Sequence, residues 1–360
     1  MRITTKDIAK LAGVSRGTVD RVLNNRGQVS QEVKEKVLKI ARERGYKKNV
    51  LASNLARNKK IKISVVLPDP QHDPFWSAPL DGIRSTETYI ANYGIELNYC
   101  FFNIHDSKSY SKAFDKSFRI KPDAILVAPV FLKESMLKFQ LASQNKVAVV
   151  CINSEINHSD ILCYVGQNSF QCGLLAGKLF NLKPLATKII LAITLGHHSK
   201  NAIHINKKIE GLRSYDSLNK CGFEIEEIVL EDFEDEKARQ ELSKSIIHRK
   251  DNIHGIFFTN SRAHKLLDEN DPLIEAIQNQ IVVGFDLLDS NVNHMNSGNI
   301  DFLLNQNPRK QGYVSIINLF NYFIYNKEIQ DKVYLPIDIV VKENYQQYLI
   351  EEELIMELLV

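Results

Sequence analysis

Three histidines lie close together in the sequence and are the residues whose type first suggests catalysis. His197, His198 and His204 follow the pattern H-H-x-x-x-x-x-H, which is not a recognised set of metal ligands. A solvated loop is the more common setting for such residues. The sequence also contains neither a G-x-x-x-x-G-K-[ST] phosphate-binding loop nor an H-E-x-x-H zinc motif. We therefore expect no catalytic residues, no metal site and no cofactor.

Polar residues follow several apolar runs in the larger part of the chain. Asn153, Asn260 and Asp286 each end such a run, as Asp69 and Pro129 do. In open α/β sheets, ligands bind beyond the carboxyl ends of the strands, so these residues are candidates for a binding site. Neutral amides together with a carboxylate supply the mixed donors and acceptors that a polyol needs. For any one of these residues alone, capping of a turn is the more common role.

The elements that must position these residues are short apolar runs that alternate with amphipathic segments after residue 60. One set covers 61–68, 95–102, 124–129 and 147–153, and a second set covers 188–194, 255–260 and 281–286. Such runs, with helical segments between them, predict parallel sheets covered by helices. Two sets of runs predict a body with two lobes.

The first 48 residues have a different pattern, which predicts a small all-α head. Thr4 or Thr5 with Asp7 signals a helix start, and Gly13 ends that helix. Its apolar stripe is predicted to contain Ile8, Ala9, Leu11 and Ala12.

A second helix begins after the capping residue Ser15, with Thr18, Val19, Val22 and Leu23 facing inward. Ser30 is predicted to cap a third helix that Gly45 closes. Two short helices joined by a glycine-containing turn, with a third helix completing the core, predict a helix-turn-helix.

Charge is distributed unevenly between the two parts of the chain. Residues 1–60 contain 16 Lys and Arg against 5 Asp and Glu, whereas residues 61–360 contain 30 against 38. A basic module joined to an acidic body is typical of a protein whose basic end binds a polyanion such as nucleic acid. A basic surface that is merely solvated is the alternative if charge is considered alone.

The residue pattern of the head indicates one class of nucleic-acid-binding protein. The pattern T-x-x-D-I-A-x-x-A-G-V-S-x-x-T-V-x-R-V-L-N, followed by V-S and by V-x-x-x-A-x-x-x-G-Y, closely resembles the DNA-binding head of the LacI/GalR family of bacterial regulators over residues 3–60. The resemblance implies that the second helix enters the major groove of DNA. It places Arg16 and Gly17 at the two positions that select the base sequence, and Arg21 at an invariant arginine.

Arg16 has the geometry to bind guanine N7 and O6 with two hydrogen bonds. Asp20 replaces the serine usual in the family, and two roles are open for it: orienting Arg16, or accepting a hydrogen bond from a cytosine amino group. The resemblance also assigns DNA contacts to Thr5, Ser15, Thr18, Asn24 and Arg26.

Residues 49–60 resemble the hinge helix of the same family, which folds when two copies meet in the minor groove. Leu55 takes the place of a leucine wedge that unstacks and kinks DNA. Asn49, Ala52 and Ala56 are its expected neighbours at the DNA. Without the resemblance, a polar linker with one incidental leucine is the simpler interpretation. Lys48 stands where the family usually has a proline, which predicts a looser entry into this hinge.

The remaining chain resembles the periplasmic sugar-binding-protein fold that LacI-family regulators use as a sensor. The segment D-P-F-W, residues 73–76, matches an N-P-F-[FW] loop whose aromatic residues stack on a sugar ring. The resemblance therefore makes Asp73, Phe75 and Trp76 candidates for effector binding, although Phe75 also suits a core position. Trp76 is the one tryptophan of the chain.

Further effector candidates follow by position. Asn260 and Asp286 match an asparagine and an aspartate at ligand-facing strand ends, and Gln306 matches a glutamine that binds sugar hydroxyls. Lys208, three residues before Gly211, approximates an arginine position. Asn153 stands where the family often has aspartate, and Ser154 replaces the arginine that usually follows it.

These expectations define one function. The predicted domains are a helix-turn-helix head (1–48), a hinge helix (49–60) and a two-lobed body for effector binding and dimerisation (61–360). We expect a homodimeric repressor of carbohydrate-related genes that binds palindromic double-stranded operator DNA and a sugar effector. The alternative is a sugar-binding receptor without regulatory DNA binding.

The cellular location follows from what the sequence does not contain. The five cysteines show no C-x-x-C spacing, which indicates free thiols in a reducing compartment. The start of the sequence lacks the apolar run of a signal peptide, and no 18-residue uncharged apolar stretch is present. We therefore expect a cytoplasmic protein without membrane contact.

Overall fold

The computed structural model describes residues 3–23, 27–46, 60–156, 158–183, 189–196, 203–267 and 271–349. The chain separates into two compact units, residues 1–58 and residues 59–360, which are called the head and the body here. Of the predicted hinge segment 49–60, all but Lys60 lies outside the described residues.

The described residues of the head form three helices, α1 (Thr5–Ala12), α2 (Arg16–Leu23) and α3 (Gln31–Glu43). Thr4 and Asp7 form a reciprocal capping box at the start of α1, as the sequence predicts. Gly13 ends the helix with a φ of 70°, a left-handed conformation that a residue with a side chain rarely adopts. Ile8, Val19 and Val37 are completely buried where the three helices meet.

Two details of the predicted head are wrong. Leu11 is 49% exposed, because α1 packs on its neighbours through Ile8, Ala9 and Ala12, and Leu11 lies beside this face. Ser30 precedes α3, but its side chain forms no capping hydrogen bond. The start of the helix is instead marked by a backbone hydrogen bond in which Lys34 N donates to Ser30 O at 3.0 Å.

The described part of the body contains two six-stranded sheets. The strands are β1 (Ile61–Pro68), β2 (Ile95–Phe102), β3 (Ala124–Val127), β4 (Ala148–Ile152), β5 (Cys163–Gly166), β6 (Ile189–Leu195), β7 (Glu224–Leu230), β8 (Ile253–Phe258), β9 (Ile281–Phe285), β10 (Phe302–Asn305), β11 (Lys332–Tyr334) and β12 (Asp338–Val340). The first sheet has the order β11-β5-β4-β3-β1-β2, and the second has the order β12-β10-β9-β8-β6-β7. All pairs are parallel except β10 with β12.

Helices cover both sheets. They are α4 (Ser77–Arg84), α5 (Glu87–Ala91), α6 (Ser107–Arg119), α7 (Leu132–Gln144), α8 (Ser169–Phe180), α9 (Ile203–Asn219), α10 (Glu236–Arg249), α11 (His264–Leu267), α12 (Asp271–Ile277), α13 (Asp289–Asn296) and α14 (Pro308–Tyr325). Single 3-10 turns lie at Pro74–Trp76 and Lys250–Asn252. Because both faces of the central strands are covered, β3 and β8 are buried along their whole length, and His254 of β8 is their one polar residue. This confirms the predicted two-lobed α/β class.

The chain passes between the two lobes at three places: after β5, after β10 and after β11. These passages are tied together by hydrogen bonds. Leu335 N donates to Gly166 O at 2.8 Å, Asn307 Nδ2 donates to Pro336 O at 3.1 Å, and Gln311 Nε2 donates to Gln167 Oε1 at 3.2 Å. Any change in the angle between the lobes must therefore be accommodated by these few residues.

Two glycines set the distance between α8 and α9 in the second lobe. A Cβ atom on Gly173 would lie 1.8 Å from the carbonyl oxygen of Lys208, and one on Gly211 would lie 2.0 Å from that of Phe170. The two helix backbones therefore touch. This contact fixes the position of Lys208, a predicted effector residue, because Lys208 lies on α9 at the contact.

We expect Gly173→Ala to destabilise the protein by about 2 kcal/mol or more, since overpacking at a rigid backbone contact typically costs about 1–3 kcal/mol. Urea denaturation followed by circular dichroism measures this change. Lys178→Ala, an exposed position on the same helix, is the matched control and should shift stability by no more than about 0.5 kcal/mol. Equal unfolding midpoints for the two variants would contradict the proposed packing constraint.

Candidate functional site

A cleft in the body is lined by the carboxyl ends of strands from both sheets. It encloses a cavity of about 120 Å³, several times the volume that one water molecule needs. Asp73, Pro129 and the segment 153–156 line it from the first lobe. Thr194, the segment 260–262 and Asp286 line it from the second lobe. The geometry therefore provides a site for a small molecule between the lobes.

The structure brings all the predicted effector residues to this cleft. The lining contains Asp73, Phe75, Trp76, Asn153, Lys208, Asn260, Asp286 and Gln306. Their positions agree with the expectation from the sequence, and their contact with an effector stays a prediction.

An ion pair joins the lobes across the cleft. Arg262 Nη2 donates to Asp73 Oδ2 at 2.6 Å, and Arg262 Nη1 donates to the carbonyl oxygen of Leu195 at 2.9 Å. The guanidinium also lies 5.1 Å from the centre of the Phe233 ring. The Asp73 side chain accepts a second bond from Phe75 N, which fixes the turn that carries both aromatic candidates. Arg262 follows the strand-end Asn260 by two residues, and no motif in the sequence predicts its ion pair with Asp73.

A second bridge between the lobes is centred on Glu155, which is only 4% exposed. It accepts hydrogen bonds from Lys207 Nζ on α9 at 3.1 Å, from Lys332 Nζ on β11 at 2.6 Å and from Tyr334 Oη at 3.2 Å. Burial raises the pKa of Glu155, but the bonds from Lys332 and Lys207 outweigh it and hold the pKa below its usual range. Glu155 is therefore a buried, ionised bridge.

Asp286 ends β9 in a left-handed conformation with a φ of 61°, which is unusual for a residue other than glycine. Its carboxylate accepts hydrogen bonds from Gln306 Nε2 at 2.6 Å and from Gln306 N at 3.3 Å. Burial raises its pKa to about 6, against the opposing charge of Lys208 and the bonds from Gln306. A strained backbone and a costly buried charge at one residue are typical of a functional site.

Lys208 is only 1% exposed. Its ammonium donates to the carbonyl oxygen of Thr259 at 2.9 Å and lies 3.5 Å from the centre of the Phe285 ring. Burial lowers the pKa of Lys208, although Cys172 and Asp286 act in the opposite direction. Lys208 matches the arginine position of the family only approximately, yet it is the most completely buried cation among the described residues of the cleft.

His204 lies in the first turn of α9 and lines the cleft, so its predicted place in a solvated loop is wrong. Burial, and then the charges of Lys208 and Arg262, lower its pKa to about 3, so the ring is neutral at physiological pH. Its Nδ1 lies 3.5 Å from Ser154 Oγ in the opposite lobe. The two other histidines of the cluster, His197 and His198, lie outside the described residues. Among those described, no group of His, Cys, Asp and Glu has the arrangement of a metal site.

The aromatic and amide candidates complete the cleft. Phe75 and Trp76 form an edge-to-face pair with ring centres 5.2 Å apart, and both are largely buried. Asn153, like Asp286, has a positive φ, in this case 69°. Asn260 Nδ2 donates to Leu195 O at 2.9 Å, so this side chain also supports the loop on which Arg262 lies.

In the head, the predicted base-reading residues lie on the exposed side of α2. Arg16, Gly17, Asp20 and Arg21 are all exposed. Burial and the charge of Asp20 raise the pKa of Tyr46, whereas Arg16 lowers it, so both charges lie near the hydroxyl of Tyr46. Asp20 and Arg16, which are four residues apart, therefore lie on the same face of α2.

The supporting residues of the head are arranged differently. Ser15 is exposed, and its Oγ accepts a hydrogen bond from Thr18 N at 3.1 Å, as a capping residue does. Thr5 and Thr18 are half-buried. The predicted DNA contacts Asn24, Arg26, Asn49, Ala52, Leu55 and Ala56 lie outside the described residues.

Residues 13–17, G-V-S-R-G, also fit the G-x-S-x-G pattern of serine hydrolases. In those enzymes the serine lies on a turn between a strand and a helix. Here Ser15 lies between α1 and α2. The pattern therefore gives no support to a nucleophilic serine.

Comparison with known families agrees with this division of the chain. Residues 4–49 match the family of bacterial regulatory proteins, lacI family, and residues 63–327 match the periplasmic binding protein domain family. Within the described residues, no helix has the length and apolar character needed to cross a membrane.

Individual relatives are similar over part of their length. The sucrose operon repressor of Staphylococcus xylosus is 32% identical over 173 residues, which cover 48% of this chain and 51% of the relative. The transcriptional regulator DegA of Bacillus subtilis is 30% identical over 156 residues, covering 43% of this chain and 45% of the relative. The matched part of the chain thus spans about half the length of these relatives.

Solved structures are similar to the body. A LacI transcriptional regulator from Bacteroides fragilis superposes with a TM-score of 0.71 at 24% identity, covering 81% of this chain and 100% of that one. A solute binding protein from Agrobacterium vitis bound with α-D-tagatopyranose gives a TM-score of 0.68 at 17% identity, covering 81% and 98%. At these identities the likeness shows the fold. With the family matches to head and body together, the chain belongs to the lacI family of bacterial regulatory proteins and carries a periplasmic binding protein domain.

Proposed function

We propose that this protein is a transcriptional repressor that binds operator DNA through its head and a sugar-class effector in the cleft of its body. The observation that carries the proposal is the cleft itself, which both lobes line with aromatic and polar side chains. The sucrose operon repressor and a ribose operon repressor among its relatives support a role in carbohydrate metabolism. A receptor that binds sugar without DNA would leave the basic lacI-type head without a role.

Binding of DNA is supported by the exposed face of α2. Arg16 offers the forked donor that fits the N7 and O6 acceptors of guanine in the major groove. Gly17 adds no side chain, so Arg16 and its neighbour Asp20 are the residues from which base selectivity has to come. The excess of Lys and Arg in residues 1–60 supplies attraction to phosphates that does not depend on sequence.

Control by an effector is supported by the bridges across the cleft. A ligand between the lobes contacts groups from both, so its binding free energy depends on their closure. The three passages between the lobes are the places that accommodate this change in angle. Coupling of this kind typically amounts to about 1–3 kcal/mol.

We further propose a homodimer whose two heads bind half-sites of a palindrome about one helical turn apart. The cytoplasm is the compartment in which such a protein meets DNA. Catalysis has no place in this proposal, because the relatives named above are transcriptional regulators.

Arg16→Ala should weaken binding to the preferred operator by about 1–3 kcal/mol, which is roughly 5- to 150-fold, because one pair of guanine contacts is lost. The operator is first obtained by selecting bound sequences from random duplex DNA with the full chain. Fluorescence anisotropy at fixed salt then compares the variants.

Lys36→Ala, an exposed position on α3, is the matched control for the loss of a positive charge. It should lower affinity for all sequences alike. Failure to enrich any sequence would overturn the proposed DNA binding, and equal effects of the two substitutions would overturn the role of Arg16.

A second prediction concerns Asp286. Because its pKa in the folded protein, about 6, lies above the ordinary 3.8, the folded state loses stability as pH rises from about 4 through 6. Asp286→Asn removes the buried charge and keeps a side chain that tolerates positive φ. It should therefore be more stable than the wild type at pH 7.5, by about 1–3 kcal/mol, with a smaller gain at pH 5.

Denaturation curves at the two pH values measure this difference, with exposed Asp251→Asn as the control. If Asp286→Asn is less stable than the wild type by the same amount at both pH values, the charge is not the source of the cost. Effector affinity should fall in Asp286→Asn, since the proposed function explains why a costly charge is kept.

A further inference from the structure

The ammonium of Lys208 is incompletely paired within the described part of the chain. It can donate three hydrogen bonds, yet one acceptor, Thr259 O, lies within bonding distance. No carboxylate of the described residues forms an ion pair with it, and Asp286 acts on it only over a longer distance. A buried cation is costly unless it is paired, and none of the described residues supplies the counter-charge.

The carboxylates of the cleft are already engaged. Asp73 accepts from Arg262 and from Phe75 N, and Asp286 accepts twice from Gln306. Glu155 accepts from two lysines and a tyrosine. Each carboxylate therefore already accepts at least two hydrogen bonds from protein groups, and none of these bonds comes from Lys208.

Several hydrogen-bond donors of the same cleft have no acceptor among the described residues. Besides Lys208, the indole N–H of Trp76 and the side-chain amide of Asn153 line the cavity and form no hydrogen bond with any described residue. An acceptor-rich group of a ligand, such as a carboxylate, would satisfy these donors.

The charges of the cleft also favour a ligand that carries a negative charge. The cleft and the groups bonded directly to its lining include four basic side chains, Lys207, Lys208, Arg262 and Lys332, and three carboxylates, Asp73, Glu155 and Asp286. Among the described residues of this set, the basic side chains exceed the carboxylates by one. A single carboxylate would neutralise this excess, whereas a doubly charged phosphate would leave a net negative charge in the same small cavity.

We propose that the effector is a sugar acid, a monosaccharide whose carboxylate pairs with Lys208. This inference rests on the proposed function and specifies the ligand class of the same cleft. The carboxylate accepts from the Lys208 ammonium, and the ring lies against Trp76 with its remaining oxygens toward Asn153. The acid differs from its neutral parent sugar by an interaction that is made in a buried site, where ionic hydrogen bonds are strong.

Isothermal titration calorimetry of the full chain tests this with matched ligand pairs. Glucuronate, galacturonate and gluconate are each compared with the neutral parent sugar and with the corresponding sugar 6-phosphate. We expect at least one acid to bind roughly tenfold or more tightly than its neutral parent, the effect of about one charge-assisted hydrogen bond. Equal or tighter binding of a neutral sugar or of a sugar phosphate would overturn the sugar-acid assignment and leave the proposed sensor intact.

Variants at Lys208 supply the second arm. Lys208→Met should remove the preference for the acid, Lys208→Arg should keep it, and the exposed control Lys178→Met should leave it unchanged. Retention of the preference in a folded Lys208→Met protein would overturn the role of Lys208. The comparison of ligand pairs on the wild type needs no variant, so it stands even if Lys208→Met fails to fold. If no sugar of any class binds, the sensing part of the proposed function fails as well, and the operator selection described above then decides the DNA-binding part separately.

Discussion

Two parallel sheets end their strands at one shared cleft, and the buried charges collected there are stable only when they are paired. The pairing runs between the lobes: Arg262 with Asp73 on one side, and Lys207 with Glu155 on another. Breaking one member of such a pair leaves an uncompensated buried charge, which is strongly unfavourable. The closed arrangement of the lobes, the shape of the cavity and the orientation of Trp76 all depend on these bridges.

Several features of the cleft lower the stability of the folded protein. Asp286 is ionised although burial raises its pKa to about 6, and both Asp286 and Asn153 have positive φ. Lys208 is held between a carbonyl oxygen and an aromatic ring. Costs of this kind persist where the surrounding structure holds them in place, and they cluster at sites that bind ligands. The residues of the body that cost folding stability are thus collected at the cleft.

Much of the architecture could be predicted because it depends on local patterns. The seven predicted apolar runs all form strands, and three of the polar residues that end them, Asn153, Asn260 and Asp286, meet at the cleft. Asp69, which ends the first run, does not belong to the lining of the cleft. The sequence does not predict the short strands β5, β10, β11 and β12, since three or four residues give no periodicity to detect. It also does not predict the edge strand β7, because three glutamates interrupt its apolar residues. Arg262 and Asp73 are 189 residues apart, and a pair that forms only through the fold leaves no local signal. His204 was assigned to a loop because no local pattern showed that the start of α9 lies over the cleft.

The central claim is that the cleft and the head are coupled, and thermodynamic linkage gives a direct measurement of it. Operator affinity is measured by anisotropy with and without a saturating effector found by calorimetry, and effector affinity is measured by calorimetry with and without operator. Thermodynamic linkage requires the same coupling factor in both directions, which we expect to be roughly 5- to 150-fold. An effector that binds in the cleft and leaves operator affinity unchanged would show that the two sites are not coupled.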